Sequence, residues 1–143
     1  MIKTGDIIGY KKTGDLKGIV LSNLLIFLNK KYGTEIVCLP SKRASKIAVD
    51  SSLDSEANEI VKLIIQGNAL DLNKNLPVKN NIVKPLYLFL DEEILLYAKI
   101  KKLKFKEPKK KKDKIKEFID EFEKKHPEVK RAIVNSLLEL YPK

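Results

Sequence analysis

Short apolar runs alternate with stretches of helical periodicity along most of the chain, and this alternation predicts an α/β protein. Compact apolar runs predict strands at 6–10, 35–39 and 46–49. Apolar residues at helical spacing predict a helix over 19–31 and another that ends at Gly67. The pattern therefore predicts a small, mostly parallel sheet with helices between its strands.

The C-terminal part is predicted to hold two amphipathic helices. Ile115, Phe118, Ile119 and Phe122 follow i, i+3, i+4, i+7 spacing, so a helix over 113–125 is expected to turn this face inward and its charges outward. Pro127 opens the second helix. We expect an α/β domain over 1–106, with the basic linker and helical hairpin of 107–143 packed on its sheet. The stretch 68–81 is expected to be a surface loop.

The segment Lys46–Ala57 is the most informative one, because a predicted strand turns there directly into a helix. Ser51 or Ser52 can cap this helix, and Asp54 and Glu56 lie in its positively polarised first turn. Two acids in a first turn are most simply dipole-stabilising, although a carboxylate pair in a cleft can perform acid–base catalysis. Open α/β sheets place ligands at such strand-to-helix turns.

This segment resembles the second signature of the PP-loop ATP pyrophosphatases, in particular the tRNA 2-thiolation enzymes. Their pattern, Ile-Ala-Thr-Gly-His-Asn-Leu-Asp-Asp-Glu-Ala, pairs without a gap with residues 47–57. Six positions are kept: Ile47, Ala48, Leu53, Asp54, Glu56 and Ala57. The Thr-Gly-His-Asn core is replaced by Val49, Asp50, Ser51 and Ser52.

Two further stretches are similar to the same enzymes, in the same order. Val83-Lys84-Pro85-Leu86 and the following 92–98 resemble a strand and helix of the family, and 118–127 resembles its closing helix. The resemblance implies a small, mostly parallel, doubly wound PP-loop (HUP-type) sheet with a C-terminal helical hairpin. It also implies a relationship to ATP-dependent tRNA sulfurtransferases.

The PP-loop itself is largely lost. In the family, Ser-Gly-Gly-Lys-Asp-Ser wraps the ATP phosphates with backbone N–H groups. This chain has Thr-Gly-Asp-Leu-Lys-Gly over 13–18, and Asp15 brings a carboxylate that repels phosphate. The resemblance implies a vestigial nucleotide site, with Asp54 as its carboxylate nearest to magnesium or phosphate. Its residues would be Thr13, Gly14, Ser51, Ser52 and Asp54.

The sulfur chemistry of the family has no counterpart in the composition. Thiolating members need a cysteine pair, or three cysteines holding an iron–sulfur cluster. The chain has one cysteine, Cys38, best interpreted as a small buried hydrophobe, and one histidine, His126. We therefore predict no catalytic residue, no iron–sulfur cluster and no zinc, with bound ATP and magnesium disfavoured.

A block of the family's fold is also missing. Only residues 40–45 separate the strands predicted at 35–39 and 46–49, whereas a parallel crossover usually takes a dozen residues or more. The resemblance thus describes an internally shortened relative. Either the sheet is smaller, or these two strands are not neighbours in the usual way.

Positive charge is concentrated in one region. The net charge is +10, and residues 99–116 hold eleven lysines against Glu107 and Asp113. Such a cluster is typical of a surface that contacts a nucleic-acid backbone, while the alternative is a solubilising surface in a lysine-rich protein. Its position matches the tRNA-contacting part of the family. The predicted phosphate contacts are Lys84, Lys101, Lys102, Lys104, Lys109, Lys110, Lys111 and Lys112.

Three functions stay open at this point. The first is a catalytically degenerate PP-loop-like protein that binds tRNA as an accessory, alone or beside a complete tRNA-modifying enzyme. The second is an ATP-binding enzyme or nucleotide sensor with a divergent PP-loop, and the third is a structural protein-interaction module. No apolar stretch is long enough to cross a membrane and no internal disulfide can form, so a cytoplasmic protein is expected.

Overall fold

The computed structural model describes residues 2–107 and 111–141. Strands and helices follow one another along the chain as β1 (Ile7–Tyr10), α1 (Leu16–Tyr32), β2 (Glu35–Cys38), β3 (Lys46–Ala48), α2 (Leu53–Ile65), a 3₁₀ helix (Ala69–Asn75), β4 (Val78–Lys79), β5 (Ile82–Val83), α3 (Asp91–Ile100), α4 (Lys114–Lys125) and α5 (Val129–Leu140). The 3₁₀ helix and β4 replace the loop expected over 68–81, and they bury Leu72 and Asn75.

The sheet has five strands in the order β2-β1-β3-β5-β4. β1 is parallel to both β2 and β3, β3 is parallel to β5, and β4 is an antiparallel edge strand. The chain moves one way from β1 to β2 and the opposite way from β3 to β5. With right-handed crossovers, α1 and α2 then lie on opposite faces. The predicted mostly parallel, doubly wound α/β fold with C-terminal helices is confirmed.

The short connection after β2 crosses a face of the sheet over β1. Both of its ends are held by β1, since Leu39 N–H donates to the Tyr10 carbonyl at 2.9 Å and Ser45 N–H donates to the Ile7 carbonyl at 2.8 Å. β2 and β3 are therefore not neighbours but flank β1, which was one of the two arrangements left open. Strands of three or four residues are only about 10–13 Å long, a distance that residues 39–45 can span.

Gly9 makes this crossing possible. A Cβ built on Gly9 would lie 2.7 Å from Leu39 Cδ2 and 2.9 Å from Ala44 Cβ. We expect Gly9→Ala to lower the free energy of unfolding by about 1–3 kcal/mol, because the connection has to lift off the sheet. Urea denaturation followed by circular dichroism measures this loss. Gly14→Ala is the control, since its Cβ would meet only ordinary contacts. Equal stability of the two variants would contradict a tight crossing.

Two groups of buried side chains stabilise the fold. One lies between the sheet and α1 and α3, and it includes Ile8, Leu25 and Val83. The other joins α2 to the 3₁₀ helix and α5 through Leu53 and Leu137. The C-terminal helices α4 and α5 thus pack against α2. Within the described residues, no helix is long and apolar enough to span a membrane.

The prediction for the inward face of α4 was wrong at its two aromatic residues. Ile119 is buried, but the side chains of Phe118 and Phe122 are 64% and 46% exposed. α4 contacts α2 and α5 along the narrow side that carries Ile119, so the rest of its apolar stripe reaches solvent. Phe118 and Phe122 therefore lie at the surface of the protein.

Candidate functional site

The carboxyl ends of β1 and β3 form the crevice in which open α/β sheets bind ligands. These strands are adjacent, with Tyr10 opposite Ala48, and the strand order reverses between them. Two loops leave this edge, and each begins a helix. The β1–α1 turn ends at Asp15, the N-cap of α1, and the β3–α2 turn ends at Ser52, the N-cap of α2.

A carboxylate of the protein itself occupies the N-terminus of α1. Gly18 N–H donates to Asp15 Oδ1 at 3.1 Å, and Thr13 Oγ1 donates to the same oxygen at 2.6 Å. Gly18 is required for this arrangement, because a Cβ there would lie 1.6 Å from Thr13 Oγ1. Gly14 joins the turn through its carbonyl, which accepts from Lys106 N–H at 2.8 Å. Two donors that could face a phosphate, the Gly18 N–H and the Thr13 hydroxyl, are thus bonded to Asp15.

The β3–α2 turn adds a second carboxylate to the crevice. Burial raises the pKa of Asp50 above its usual range, and the nearby Asp15 carboxylate raises it further, against the opposing effect of Lys17 and Lys11. Ser52 caps α2 by accepting from Ser55 N–H, and its hydroxyl donates to Asp91. The carboxylates of Asp15 and Asp50 therefore both oppose the binding of an anion in this crevice.

Replacing Asp50 with asparagine should stabilise the fold at neutral pH. A carboxyl group whose pKa is raised in the folded protein lowers the stability of the fold at any pH where it is ionised. This cost disappears below pH 3.8, the pKa of the group in the unfolded chain. The advantage of the variant should therefore shrink as the pH is lowered toward about 4. Urea denaturation at a series of pH values measures it, with the exposed Glu139→Gln as control. An advantage that does not change with pH would contradict the assignment.

Asp54 does not face the crevice as a free ligand but joins three helices. Its Oδ2 accepts from the backbone N–H of Asp91 at 2.6 Å, which caps α3 from outside, and its Oδ1 accepts from the Lys130 ammonium. Lys130 also donates to Asp120 at 2.9 Å and lies 3.4 Å from Glu123. Among the described residues, no three His, Cys, Asp or Glu side chains are grouped to hold a metal ion.

Lys84 is buried, which corrects the prediction that it contacts phosphate. Its ammonium lies 2.8 Å from Glu56 Oε1, and the two residues are only 8% and 2% exposed. Glu56 also accepts from Ser51 Oγ and, at 2.9 Å, from Asn75 Nδ2. Burial raises the pKa of Tyr87 beside this pair, and the Glu56 carboxylate raises it further. The motif residues Glu56 and Lys84 thus form an interior ion pair.

The other predicted lysines lie at the surface. We call the following exposed residues the lysine strip: Lys99, Lys101, Lys102, Lys104, Lys106, Lys111, Lys112, Lys114 and Lys116. Within the described residues, none of them forms a salt bridge, whereas Lys17, Lys46 and Lys130 all do. Lys109 and Lys110 lie outside the described residues. The bond from Lys106 to Gly14 places the strip beside the β1–α1 turn and its exposed Lys11 and Lys12.

Strand order, the reversal at β1 and β3, and the C-terminal helices together define a doubly wound α/β fold. The U34-tRNA thiolase NcsA from Methanococcus maripaludis, solved with its 4Fe–4S cluster, has the same fold, with a TM-score of 0.72. The match covers 99% of this chain and 74% of that chain at 17% sequence identity. No protein-family model and no curated protein matches the chain. The predicted resemblance is thus confirmed at the level of the fold.

An iron–sulfur cluster of that kind does not fit the residues present. Such clusters are held by three or four thiolates, and this chain has Cys38 alone. Cys38 lies at the end of the edge strand β2 and is exposed, with Tyr10 Oη 3.8 Å from its sulfur. The prediction that it is a buried hydrophobe was wrong, because an edge strand leaves one side uncovered.

Proposed function

We propose that this protein binds tRNA through the lysine strip and acts as an accessory in tRNA modification, without activating its substrate with ATP. The observation that carries the proposal is the concentration of exposed lysines in the lysine strip. Nine exposed lysines of 99–116 have no ion-pair partner among the described residues, and only Glu107 and Asp113 oppose them within this segment. Unpaired ammonium groups are free to bind phosphates and release counterions.

The site supports the absence of ATP activation. A triphosphate at the N-terminus of α1 would have to displace Asp15 from Gly18 and Thr13 and would also face Asp50. Asp54 is held by Lys130 and the α3 backbone, so a magnesium ion would have to break that pairing. A tRNA-binding protein with the thiolase fold and no activation chemistry fits best beside a complete modifying enzyme, which would do the chemistry.

Binding of bulk tRNA across a salt series tests the proposal, with random duplex DNA as competitor. We expect binding that prefers tRNA and weakens steeply as salt rises. Lys101→Gln with Lys104→Gln should weaken binding and reduce the slope of log K against log salt by about 2, one for each lost phosphate contact. The control pair is Lys30→Gln with Lys42→Gln, which removes two exposed lysines outside the strip.

Two results would contradict the proposal. Absence of tRNA binding at low salt would show that the lysine strip is a solubilising surface. An equal loss of binding from both pairs of lysine substitutions would show that tRNA responds to the net charge of the protein and not to the strip. Calorimetric titration with ATP and magnesium gives a separate test, for which we expect no binding. Saturable ATP binding by the unaltered protein would instead support a nucleotide-binding protein.

A further inference from the structure

We propose that a second copy of this chain docks on the apolar surface between α1 and α3, so that the protein forms a two-fold symmetric dimer. An open hollow of about 260 Å³ lies between these helices, and the side chains that line it are mostly apolar. Val20 and Leu24 line it from α1, and Ile94 and Tyr97 line it from α3. Tyr97 Oη donates to Asn23 Oδ1 at 2.6 Å and joins the two helices, so the hollow is formed without a partner.

Exposed apolar side chains surround this hollow. Phe89, Leu96 and Ile100 line it and are 45%, 57% and 68% exposed, respectively. Phe27 lies three residues beyond Leu24 on the same side of α1 and is 56% exposed. We call Phe27, Phe89, Leu96 and Ile100 the apolar patch.

The size of the apolar patch fits the requirement of a dimer. With about 200 Å² for each whole side chain, the exposed fractions of its four residues leave about 450 Å² of apolar surface in contact with solvent. Apolar patches of this size on soluble proteins are often interaction sites. A protein–protein interface of ordinary size covers about 800 Å² on each partner, and a little more than half of that area is apolar. The apolar patch supplies this share.

Charge complementarity selects a second copy as the partner. The exposed side of α3 carries Glu92 in its first turn, Leu96 in the middle and Lys99 in its last turn. Glu92 and Lys99 are seven residues apart, so they lie on the same side of α3, about 10 Å from each other along the axis. A two-fold axis near Leu96 makes the two α3 helices antiparallel and brings Glu92 opposite the partner's Lys99. This side of α3 is therefore complementary to itself.

Both charges are available for pairing between copies. Within the part of the chain that the structure describes, neither Glu92 nor Lys99 forms a salt bridge, whereas the adjacent Glu93 pairs with Arg131. Lys99 is the first residue of the lysine strip, and the other eight lysines stay exposed to RNA. The dimer is therefore independent of the proposed tRNA binding.

Sedimentation equilibrium of the full chain tests the dimer. We expect the unaltered protein to have the mass of two chains at micromolar concentration. Leu96→Glu should raise the dissociation constant of the dimer about a hundredfold or more, because it places two like charges at the symmetry axis. Leu96 is exposed, so the thermal transition should hardly move. Leu70→Glu is the matched control, since Leu70 is an exposed leucine of the 3₁₀ helix.

Charge exchange tests the antiparallel pairing of α3. Glu92→Lys alone and Lys99→Glu alone should each weaken the dimer about tenfold, because each substitution sets like charges opposite one another at two symmetric positions. An equal mixture of these two variants should form mixed dimers in preference to dimers of either variant, since the facing charges are then opposite in sign. Glu92→Lys with Lys99→Glu in one chain should restore the dimer.

Three results would overturn the inference. The first is an unaltered protein that stays monomeric at millimolar concentration, which would leave the proposed tRNA binding intact. The second is a dimer that Leu96→Glu does not weaken, which would place the contact on another surface. The third is a monomeric chain that binds a different protein through Leu96, which would assign the apolar patch to that protein. Failure to bind tRNA would instead overturn the proposed function and leave the dimer intact.

Discussion

Replacing Lys84 with methionine should lower the free energy of unfolding by about 3–5 kcal/mol, the largest effect we expect from a single substitution. The substitution leaves the Glu56 carboxylate buried without its cation, and the hydrogen bonds from Ser51 and Asn75 do not replace that charge. Removing one partner of a buried ion pair costs more than the pair itself contributes, because the remaining charge has no water around it. Urea denaturation followed by circular dichroism gives the measurement.

The double variant Glu56→Gln with Lys84→Met separates this cause from a packing defect. It removes both charges and keeps an amide that can bond to Ser51 or Asn75, so it should recover much of the loss. Lys62→Met makes the same chemical change at an exposed position of α2 and should stay within about 0.5 kcal/mol of the unaltered protein. A double variant no more stable than the single one would contradict the ion-pair explanation.

Lys130→Met should cost about 3 kcal/mol, at the lower end of the range for buried pairs because Asp120 and Glu123 are partly hydrated. Burial alone lowers the pKa of Lys130, but the hydrogen bonds that it donates to Asp54 and Asp120 outweigh it and raise this pKa above the usual range. A lysine whose pKa is raised in the folded protein contributes its full stabilisation below pH 10.5, its pKa in the unfolded chain. The stabilisation is lost only as the pH rises above that value. The full effect is therefore expected at neutral pH.

The loss should appear first where Lys130 joins the C-terminal helices to Asp54. Hydrogen exchange is expected to show α4 and α5 losing protection before α1 and the sheet. Arg131→Met is the matched control, because the neighbouring Arg131 pairs with Glu93 at the surface and should contribute at most about 1 kcal/mol. Uniform loss of protection over the whole chain would show that Lys130 does not act through the helical hairpin.

Local signals accounted for most of the secondary structure. The strand and helix predicted in 46–67 agree with β3 and α2 almost residue for residue, because the apolar run, the Ser52 cap and the helical spacing are all contained in the segment itself. α1 begins at Leu16, three residues before the predicted start, since Asp15 serves as its cap. From the sequence alone, Asp15 is identified only as a residue that repels phosphate.

These local signals do not predict which residues that are distant in the sequence contact each other in the fold. Glu56 and Lys84 are 28 positions apart, and nothing in either segment indicates that they meet in the interior. The exposure of Phe118 and Phe122 was missed for a related reason. Helical spacing predicts which residues share a face of α4, but how much of that face α2 and α5 cover is decided by their arrangement. The crossing of residues 39–45 over Gly9 likewise depends on strand order, which only the assembled sheet shows.

The cap formed by Asp15 has a consequence for any soluble anion that approaches α1. The carboxylate belongs to the same chain, so its effective concentration at the helix N-terminus is fixed and does not depend on supply from solution. An incoming phosphate has to compete with the Asp15 carboxylate for the Gly18 N–H, and this carboxylate cannot diffuse away. We therefore expect recovery of a phosphate site at this helix to require replacement of Asp15 as well as new favourable contacts.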